Sequence, residues 1–437
     1  MFFKRNFVVI IIALLCRVAD ANCEPCAPVC DENAGCCFSE YLTEKSVFES
    51  KLFNNNLVGK KSKSKISLYG WMLTGITVNN YGETNEYEGG TNAYGYNRRP
   101  NRPGITDQSG NTYVLMLEQP SDWKLNHLWL GAKKELDDRF GVGFQVDYTY
   151  GTDSRYARNW GDETLDWNWG TGDYFSSLNQ LFVTIGTKDL YLRIGKFAGS
   201  FAYEGLAAPR EFFYSHAHIA YGRPFTTQGA TVEWKPNKKW AFSAGWTAGV
   251  FTSFENPYHD SAFLGKATYL FTKDISLSYR IFYNDKGRRP EVNGGALDCM
   301  NTLIFTWKIN EKWFYMGEVA YTDNNYYAID GDKTIGDAWG INNHLIYTIN
   351  EKLGVGLRGE FHHSRNSFYD QKIVTGGEGG DLWALTLAAR YKINPKLTFR
   401  PELRYDYADY KNGYRPFGGN ESKNGQLCGG VSFVAEF

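Results

Sequence analysis

Three stretches of the chain are near copies of one another: Lys308-Ile309-Asn310-Glu311-Lys312-Trp313, Thr348-Ile349-Asn350-Glu351-Lys352-Leu353 and Lys392-Ile393-Asn394-Pro395-Lys396-Leu397. Lys235-Pro236-Asn237-Lys238-Lys239-Trp240 and Thr272-Lys273-Asp274 are variants of the same turn. Asn, Asp and Pro suit tight turns because they tolerate or pre-set the required dihedrals. Each turn joins two segments in which apolar and polar residues alternate. Leu353, Val355, Leu357 and Phe361 alternate with Arg358, Glu360 and His362, and Phe399, Leu403, Tyr405 and Tyr407 with Arg400, Glu402, Arg404 and Asp406. Val142, Phe144, Val146 and Tyr148 stand opposite Gln145, Asp147 and Thr149 in the same way. That is a period of two with one dry face, the pattern of a half-buried strand.

The hairpins recur from residue 65 at about 40 residues, which is also the period of a propeller blade. Blades bury both sheet faces, however, and these strands have only one greasy face. A soluble sandwich gives the same alternation, so the connections decide. Short turns alternate strictly with long loops near residues 80 to 112, 151 to 176, 199 to 224, 285 to 297, 323 to 337, 364 to 380 and 408 to 424. This asymmetry is the habit of outer-membrane barrels, where only a closed sheet can satisfy every backbone hydrogen bond in lipid. Strands begin near 66, 123, 139, 178, 189, 226, 239, 261, 274, 298, 312, 337, 352, 381, 396 and 425, an even count of sixteen. The first, second and fifth alternate less cleanly, with Tyr69 and Trp71 facing inward, which leaves the count open by two. The expectation is an all-β, transmembrane, antiparallel up-and-down barrel over residues 65–437, with both its ends on the short-turn, periplasmic side. Its last segment alternates to Phe437, similar to the assembly signal of outer-membrane barrels.

Composition agrees. The 437 residues are 43% hydrophobic, 16% aromatic and 22% charged, with a net charge of -1. Beyond the first twenty residues no run is long and apolar enough for a transmembrane helix. The balance gives no basic footprint for nucleic acid, and the aromatic content argues against disorder. Most aromatic side chains are expected as interface girdles.

Residues 1–21 read as a signal peptide. Lys4 and Arg5 precede the apolar run Phe7 to Leu15, and Ala19-Asp20-Ala21 is a small-x-small cleavage site before Asn22. Residues 22–64 then form a short Cys-rich periplasmic extension, with Phe38, Leu42, Phe48, Leu52 and Phe53 loosely suiting an amphipathic helix. No lipid anchor is expected, because the residue before each candidate Cys is not small. Cys23, Cys26, Cys30, Cys36 and Cys37 crowd this extension. In an exported chain that context favours disulfides over a metal or redox site. Five is odd, so one thiol is free, paired at long range, or bonded to another molecule. Cys299 and Cys428 lie six strands apart, too far to pair.

A barrel of about sixteen strands is too wide for its own side chains to fill and encloses water. The inward register gives it a wall of mixed charge: Asp147, Arg193, Glu233, Arg280, Glu318, Arg358, Glu360, Arg390, Arg400, Glu402, Arg404 and Asp406. Opposed acidic and basic arcs would screen solutes by polarity as well as size; otherwise these residues hydrate the wall and pair among themselves. Loop 199–224, the third outer loop, carries Phe201, Tyr203, Phe212, Phe213, Tyr214, Ile219 and Tyr221, too much apolar surface for a solvated tip. It is expected to fold inward as a constriction bearing Glu204, Arg210, Glu211, His216, His218 and Arg223, unless it caps the barrel or makes a subunit contact.

Around this loop, Gly195-Lys196-Phe197, Tyr203-Glu204, Tyr214-Ser215-His216-Ala217-His218 and Arg223-Pro224-Phe225-Thr226-Thr227-Gln228-Gly229 together resemble the β-barrel porins of the OmpL-like type. The resemblance spans residues 66 to 437 and implies an outer-membrane porin with no catalytic residues to carry over. His216-Ala217-His218 departs from the Ser-Arg-Ser-like run of that pattern, and the Cys-rich extension lies outside it.

Signals of other chemistry are thin. There is no phosphate loop, His-Glu-x-x-His or nucleophile elbow. His216 and His218 lack a third metal ligand, His362 and His363 point to opposite faces of a strand, and Asp330-Gly331-Asp332 lacks the spaced ligands of a calcium loop. No enzymatic activity and no cofactor or metal are expected. The expected partners are outer-membrane lipid, small hydrophilic solutes or ions, other copies of the chain and an intermolecular disulfide partner. Against the porin stands a second possibility: an envelope scaffold cross-linked through its N-terminal cysteines, with little transport role.

Overall fold

The computed structural model describes residues 66–81, 122–157, 174–199, 201–220, 225–249, 260–285, 296–327, 333–365, 380–410 and 422–437, with isolated residues in the loops between them. The expected signal peptide, the five N-terminal cysteines, the segment 38–64 expected to hold an amphipathic helix, and Arg223 fall outside the described residues. Ascending and descending strands follow in order: β1 (Ser67–Asn79), β2 (Lys124–Lys134), β3 (Gly141–Gly151), β4 (Phe175–Gly186), β5 (Leu190–Ala198), β6 (Thr226–Trp234), β7 (Trp240–Thr247) and β8 (Ser261–Thr272). The second half comprises β9 (Ile275–Asp285), β10 (Ala296–Lys308), β11 (Trp313–Tyr327), β12 (Lys333–Thr348), β13 (Leu353–Arg365), β14 (Gly380–Asn394) and β15 (Leu397–Tyr410). Two-residue strands β16 (Arg415–Pro416) and β17 (Ser422–Lys423) pair with each other in the last loop, and β18 (Gly425–Glu436) completes the chain of elements. Apart from β16 and β17 the strands form one closed barrel of sixteen, each antiparallel to its sequence neighbours, with β18 pairing both β15 and β1.

The repeated turn has a local cause. In each copy the Asn side chain accepts backbone N–H groups that the hairpin would otherwise strand. Lys312 and Trp313 donate to Asn310 Oδ1 at 2.9 and 3.0 Å, and Lys352 and Leu353 to Asn350 Oδ1 at 2.9 and 3.0 Å. Lys396 bonds to Asn394 at 2.9 Å and Lys239 to Asn237 at 2.8 Å. This Asx-type closure fixes register on the short-turn side.

Alternation then sorts the faces. Leu357, Leu385, Leu387 and Leu403 point outward and are exposed, while Arg358, Thr386, Arg404 and Asp406 on the same strands are buried inside. Two rows of aromatic rings bound the outward band. Near the short turns Trp313 lies 4.6 Å from Tyr347, Trp240 4.5 Å from Tyr269 and Phe399 5.0 Å from Phe433. Toward the long loops runs Trp339, Phe361, Trp383 and Tyr407, at 4.9, 5.5 and 5.7 Å between successive rings. Trp383 and Tyr391 sit eight residues apart on β14, a rise of about 26 Å along the strand and about 20 Å once tilted. Such a band matches a bilayer's hydrocarbon depth. No helix among the described residues is long and apolar enough to cross a membrane; the strands cross it.

Two details differ from the sequence reading. The connection expected at 323 to 337 is mostly strand, since β11 reaches Tyr327 and β12 begins at Lys333. An eighth long loop spans 248–260, whose brevity and lack of a turn motif hid it. Tyr69 and Trp71 do face inward, and with Leu73, Trp129, Tyr214 and Ala208 they form an apolar cluster against the barrel wall, which explains why β1 and β2 alternate poorly: both of their faces are dry there. Cys299 and Cys428 are free thiols six strand steps apart.

Candidate functional site

The connection between β5 and β6 has almost no regular structure beyond two 3-10 turns, Ala208–Arg210 and His218–Ala220. An irregular segment carries unpaired N–H and C=O groups that must find partners wherever water is excluded. Here the partners are inward-pointing side chains of the wall. Arg280 Nη1 donates to the Ala202 carbonyl at 2.6 Å, and Glu318 Oε1 accepts Tyr203 N–H at 3.1 Å. Arg390 donates to the carbonyls of Glu211 and Pro209 at 2.6 and 2.9 Å. Arg400 Nη1 reaches the carbonyls of Ala208, Glu211 and Phe213 at 3.3, 3.0 and 3.1 Å. Glu402 accepts Tyr214 N–H at 2.8 Å, and Glu360 accepts His218 N–H at 2.6 Å. Arginines take the carbonyls and glutamates the amides. A guanidinium with five donors in a planar fork suits the first task, a carboxylate the second.

At the centre lies an ion-pair network. Arg358 Nη1 is 2.9 Å from Glu204 Oε1, its Nε is 2.7 Å from Glu360 Oε1, and it also donates to the carbonyl and hydroxyl of Ser215 at 2.6 and 2.8 Å. Arg404 bridges Glu360 at 3.1 Å and Asp406 at 2.8 Å, and donates to the His216 carbonyl at 3.0 Å. His218 Nε2 stands 3.1 Å from Asp406 Oδ1, and His344 Nε2 is 3.2 Å from Glu204 Oε1. Burial works to raise the Glu204 carboxyl, but Arg358, with His344 and His216, overrides it and holds the group well below the usual carboxylate range. Burial, reinforced by Asp153, pushes the Tyr214 phenol up; it stays protonated and donates to Asn126 Oδ1 at 2.8 Å.

Apolar seats complete the fit. Phe212 and Phe213 pack with Ile304, Phe314, Met316, Ile346 and Ala388, Phe201 with Phe197, Leu264, Phe282 and Met300, and Ile219 with Ala320. Each buried ring contributes about 1.5–3 kcal/mol. Two wall glycines make room. A Cβ at Gly356 would lie 2.5 Å from Phe212 Cε1, and one at Gly75 would lie 2.6 Å from the Tyr214 hydroxyl. Phe314 stands at the short-turn end of β11, so the loop descends almost the full height of the wall it touches.

The residues singled out in the sequence therefore separate into three groups. Arg280, Glu318, Arg358, Glu360, Arg390, Arg400, Glu402, Arg404 and Asp406 meet the loop, and Arg358, Arg390, Arg400, Arg404 and Asp406 are at most 1% exposed; they bind loop atoms instead of facing water. Arg193, Glu233 and Asp147, on β3 to β6, bond within the wall. Arg193 Nη2 is 2.7 Å from Glu233 Oε1, Ser243 donates to Glu233 at 2.7 Å, and Asp147 accepts from Tyr69, from Gln180 and, at 2.7 Å, from Gln145. On the loop, Glu204, His216 and His218 are buried, with His216 Nε2 2.9 Å from the Gly205 carbonyl. Glu211 Oε1 accepts Gly205 N–H at 2.8 Å. Arg210 alone among the charged residues of the described loop is exposed. His344, Ser215 and Asn126 escaped the sequence reading. His344 was accessible in principle: it pairs across the sheet with Arg358 and so shares its inward parity.

A closed sixteen-strand barrel with a lipid-facing apolar band and a charged interior defines an outer-membrane channel of the porin type. The chain belongs to the family described as "Putative beta-barrel porin-2, OmpL-like", whose model matches residues 65–437. Among solved structures it is similar to the outer membrane channel DcaP of Acinetobacter baumannii, at 13% identity and a TM-score of 0.55, covering 87% of this chain and 100% of that one. An anion-selective porin from Comamonas acidovorans aligns at 11% identity and a TM-score of 0.51, over 85% and 99% of the two chains. OmpT of Vibrio cholerae, in a trimer form, aligns at 11% identity and 0.51, again over 85% and 99%. A search of curated protein sequences returned no match.

Proposed function

We propose that the protein is a passive-diffusion porin in which the third outer loop narrows the lumen, so that small hydrophilic solutes and ions pass between the loop and the wall formed by β3 to β7. The observation that carries this reading is the one-sidedness of the loop's polar anchoring. Its backbone is bonded to β9, β11, β13, β14 and β15, whereas on the facing wall Arg193, Thr231 and Ser243 all donate to Glu233, and Gln145 donates to Tyr69 and Asp147. Gln145, Arg193 and Glu233 are satisfied within the wall and keep partial exposure, which is what a water-bearing passage needs. The same reading puts the protein in the outer membrane as a homo-oligomer, in keeping with the trimer form named for the similar Vibrio OmpT structure; light scattering in detergent tests that part.

Purified protein in planar bilayers is the test of the channel itself. Discrete, ohmic conductance steps are expected, persisting after complete reduction of the cysteines. Replacing Glu204 to Ser215 by a short Gly/Ser linker is expected to raise single-channel conductance. A correctly folded barrel whose conductance does not change on that replacement contradicts the narrowing, and one that never conducts contradicts the porin.

A further inference from the structure

We propose that Arg210 sets the charge preference of the passage and that the preferred solutes are anions; this rests on the porin reading above. The inserted loop offers four acidic or histidine side chains besides Arg210 among its described residues, and all four are engaged. Glu204 is held by Arg358 and His344 and also accepts Ala217 N–H at 2.6 Å. Glu211 closes on Gly205 N–H, His216 on the Gly205 carbonyl, and His218 on Asp406 and Arg404. Arg210 differs. Its guanidinium makes no hydrogen bond or ion pair among the described residues, and it is exposed.

Its exposure is to the interior of the barrel. The carbonyls on either side of it, Pro209 and Glu211, are bound by inward-facing Arg390, and Ala208, in the same 3-10 turn, packs into the cluster of Tyr69, Trp71 and Trp129 on β1 and β2. A side chain exposed from a backbone fixed inside the barrel projects into lumen water. Among the described residues of the facing wall, Arg193 and Glu233 on β5 and β6 neutralise each other at 2.7 Å, and Asp147 is 1% exposed, bonded to Tyr69, Gln145 and Gln180 and so withdrawn from the water that Arg210 meets. An exposed cation without a direct ion pair in a narrow aqueous gap with low-dielectric walls attracts anions and repels cations. The loop is thus charge-selective because its acids serve as anchors while its arginine does not.

Reversal potentials across a tenfold KCl gradient test this. Wild type is expected to favour chloride, more strongly at 0.1 M than at 1 M salt, since the screening length falls from about 10 to about 3 Å. Arg210→Gln is expected to bring the chloride-to-potassium permeability ratio close to unity, and Arg210→Glu to invert it, both with unit conductance within about twofold of wild type. The Arg210 side chain is exposed and makes no hydrogen bond or ion pair among the described residues, so both variants should assemble, which heat-modifiable gel mobility verifies. A conducting wild type that prefers potassium, or an unchanged reversal potential in Arg210→Glu, overturns the assignment of Arg210 and leaves the porin standing. A folded wild type with no conductance at all overturns both.

Discussion

Two arginines on the inner wall show how differently one residue type is used on opposite sides of this barrel. Arg358 on β13 has a fully buried side chain that donates to Glu204 and Ser215 on the loop, to Glu360 on its own strand and to Thr386 on β14, while Arg193 on β5 is 17% exposed, pairs with Glu233, and lays its guanidinium 4.1 Å from the centre of the Phe197 ring. On the β9 to β15 side charge replaces secondary structure: it supplies the hydrogen bonds that a loop without a ladder lacks. On the β3 to β7 side charge is satisfied within the wall, Arg193 by Glu233 and Asp147 by Tyr69, Gln145 and Gln180. The lesson is that an inward-facing charge in a wide barrel is not by itself a pore-lining charge, because a segment lying across it decides whether it meets water.

This contrast breaks most sharply at Arg358. Arg358→Met leaves Glu204 and Glu360 buried beside a missing cation, and a loss of about 3–5 kcal/mol is expected, read as a lower temperature for the heat-modifiable gel shift together with higher conductance. An unshifted transition would show that the clamp is not holding the loop. A smaller effect, about 1–3 kcal/mol from overpacking, is expected for Gly356→Val, whose Cβ would meet the Phe212 ring at 2.5 Å; faster proteolysis between Glu204 and Ser215 is the readout.

Acid should loosen the clamped side only. The Glu204 carboxyl is held below its ordinary value of 4.5, so its contribution is present in full above pH 4.5 and is lost progressively as pH falls below it, because the released loop takes up the proton first. Loop proteolysis and conductance are therefore expected to be flat from pH 7 to 5 and to rise by pH 3; a flat profile to pH 3 would remove Glu204 from the anchor. The smallest change belongs to the other wall. Arg193→Met disrupts a partly exposed pair and should cost about 0–1 kcal/mol, altering conductance while leaving the gel shift in place.

Much of this was legible before any coordinates. Period-two alternation and the Asn-centred turns located the strands to within a few residues, because both are local properties. The inward fate of loop 199–224 was visible in Phe212, Phe213 and Tyr214, rings too numerous for a solvated tip. What the sequence concealed was pairing at a distance. Parity along β13 and β15 puts Arg358 and Arg404 inside, but nothing local says that Ser215 and His216 will lie against them. Nor does it say that Gly356 is small to admit a ring from a loop some 140 residues earlier. The poor alternation of β1 looked like noise and was information: Tyr69 and Trp71 face an apolar filling that only the folded loop provides.

One further feature bears on biogenesis. The seam of the cylinder joins the first strand to the last: Phe437 N–H donates to the Gly70 carbonyl at 2.9 Å, Gly70 N–H to the Phe437 carbonyl at 3.2 Å, and Leu427 N–H to Asn80 Oδ1, 347 residues away in sequence, at 2.9 Å. Until that final strand arrives, every earlier hairpin belongs to a sheet with two raw edges, the state most prone to sticking to its neighbours. Closure of the cylinder therefore waits on β18, and a chain whose last strand has not arrived carries its unpaired edges at β1 and β15.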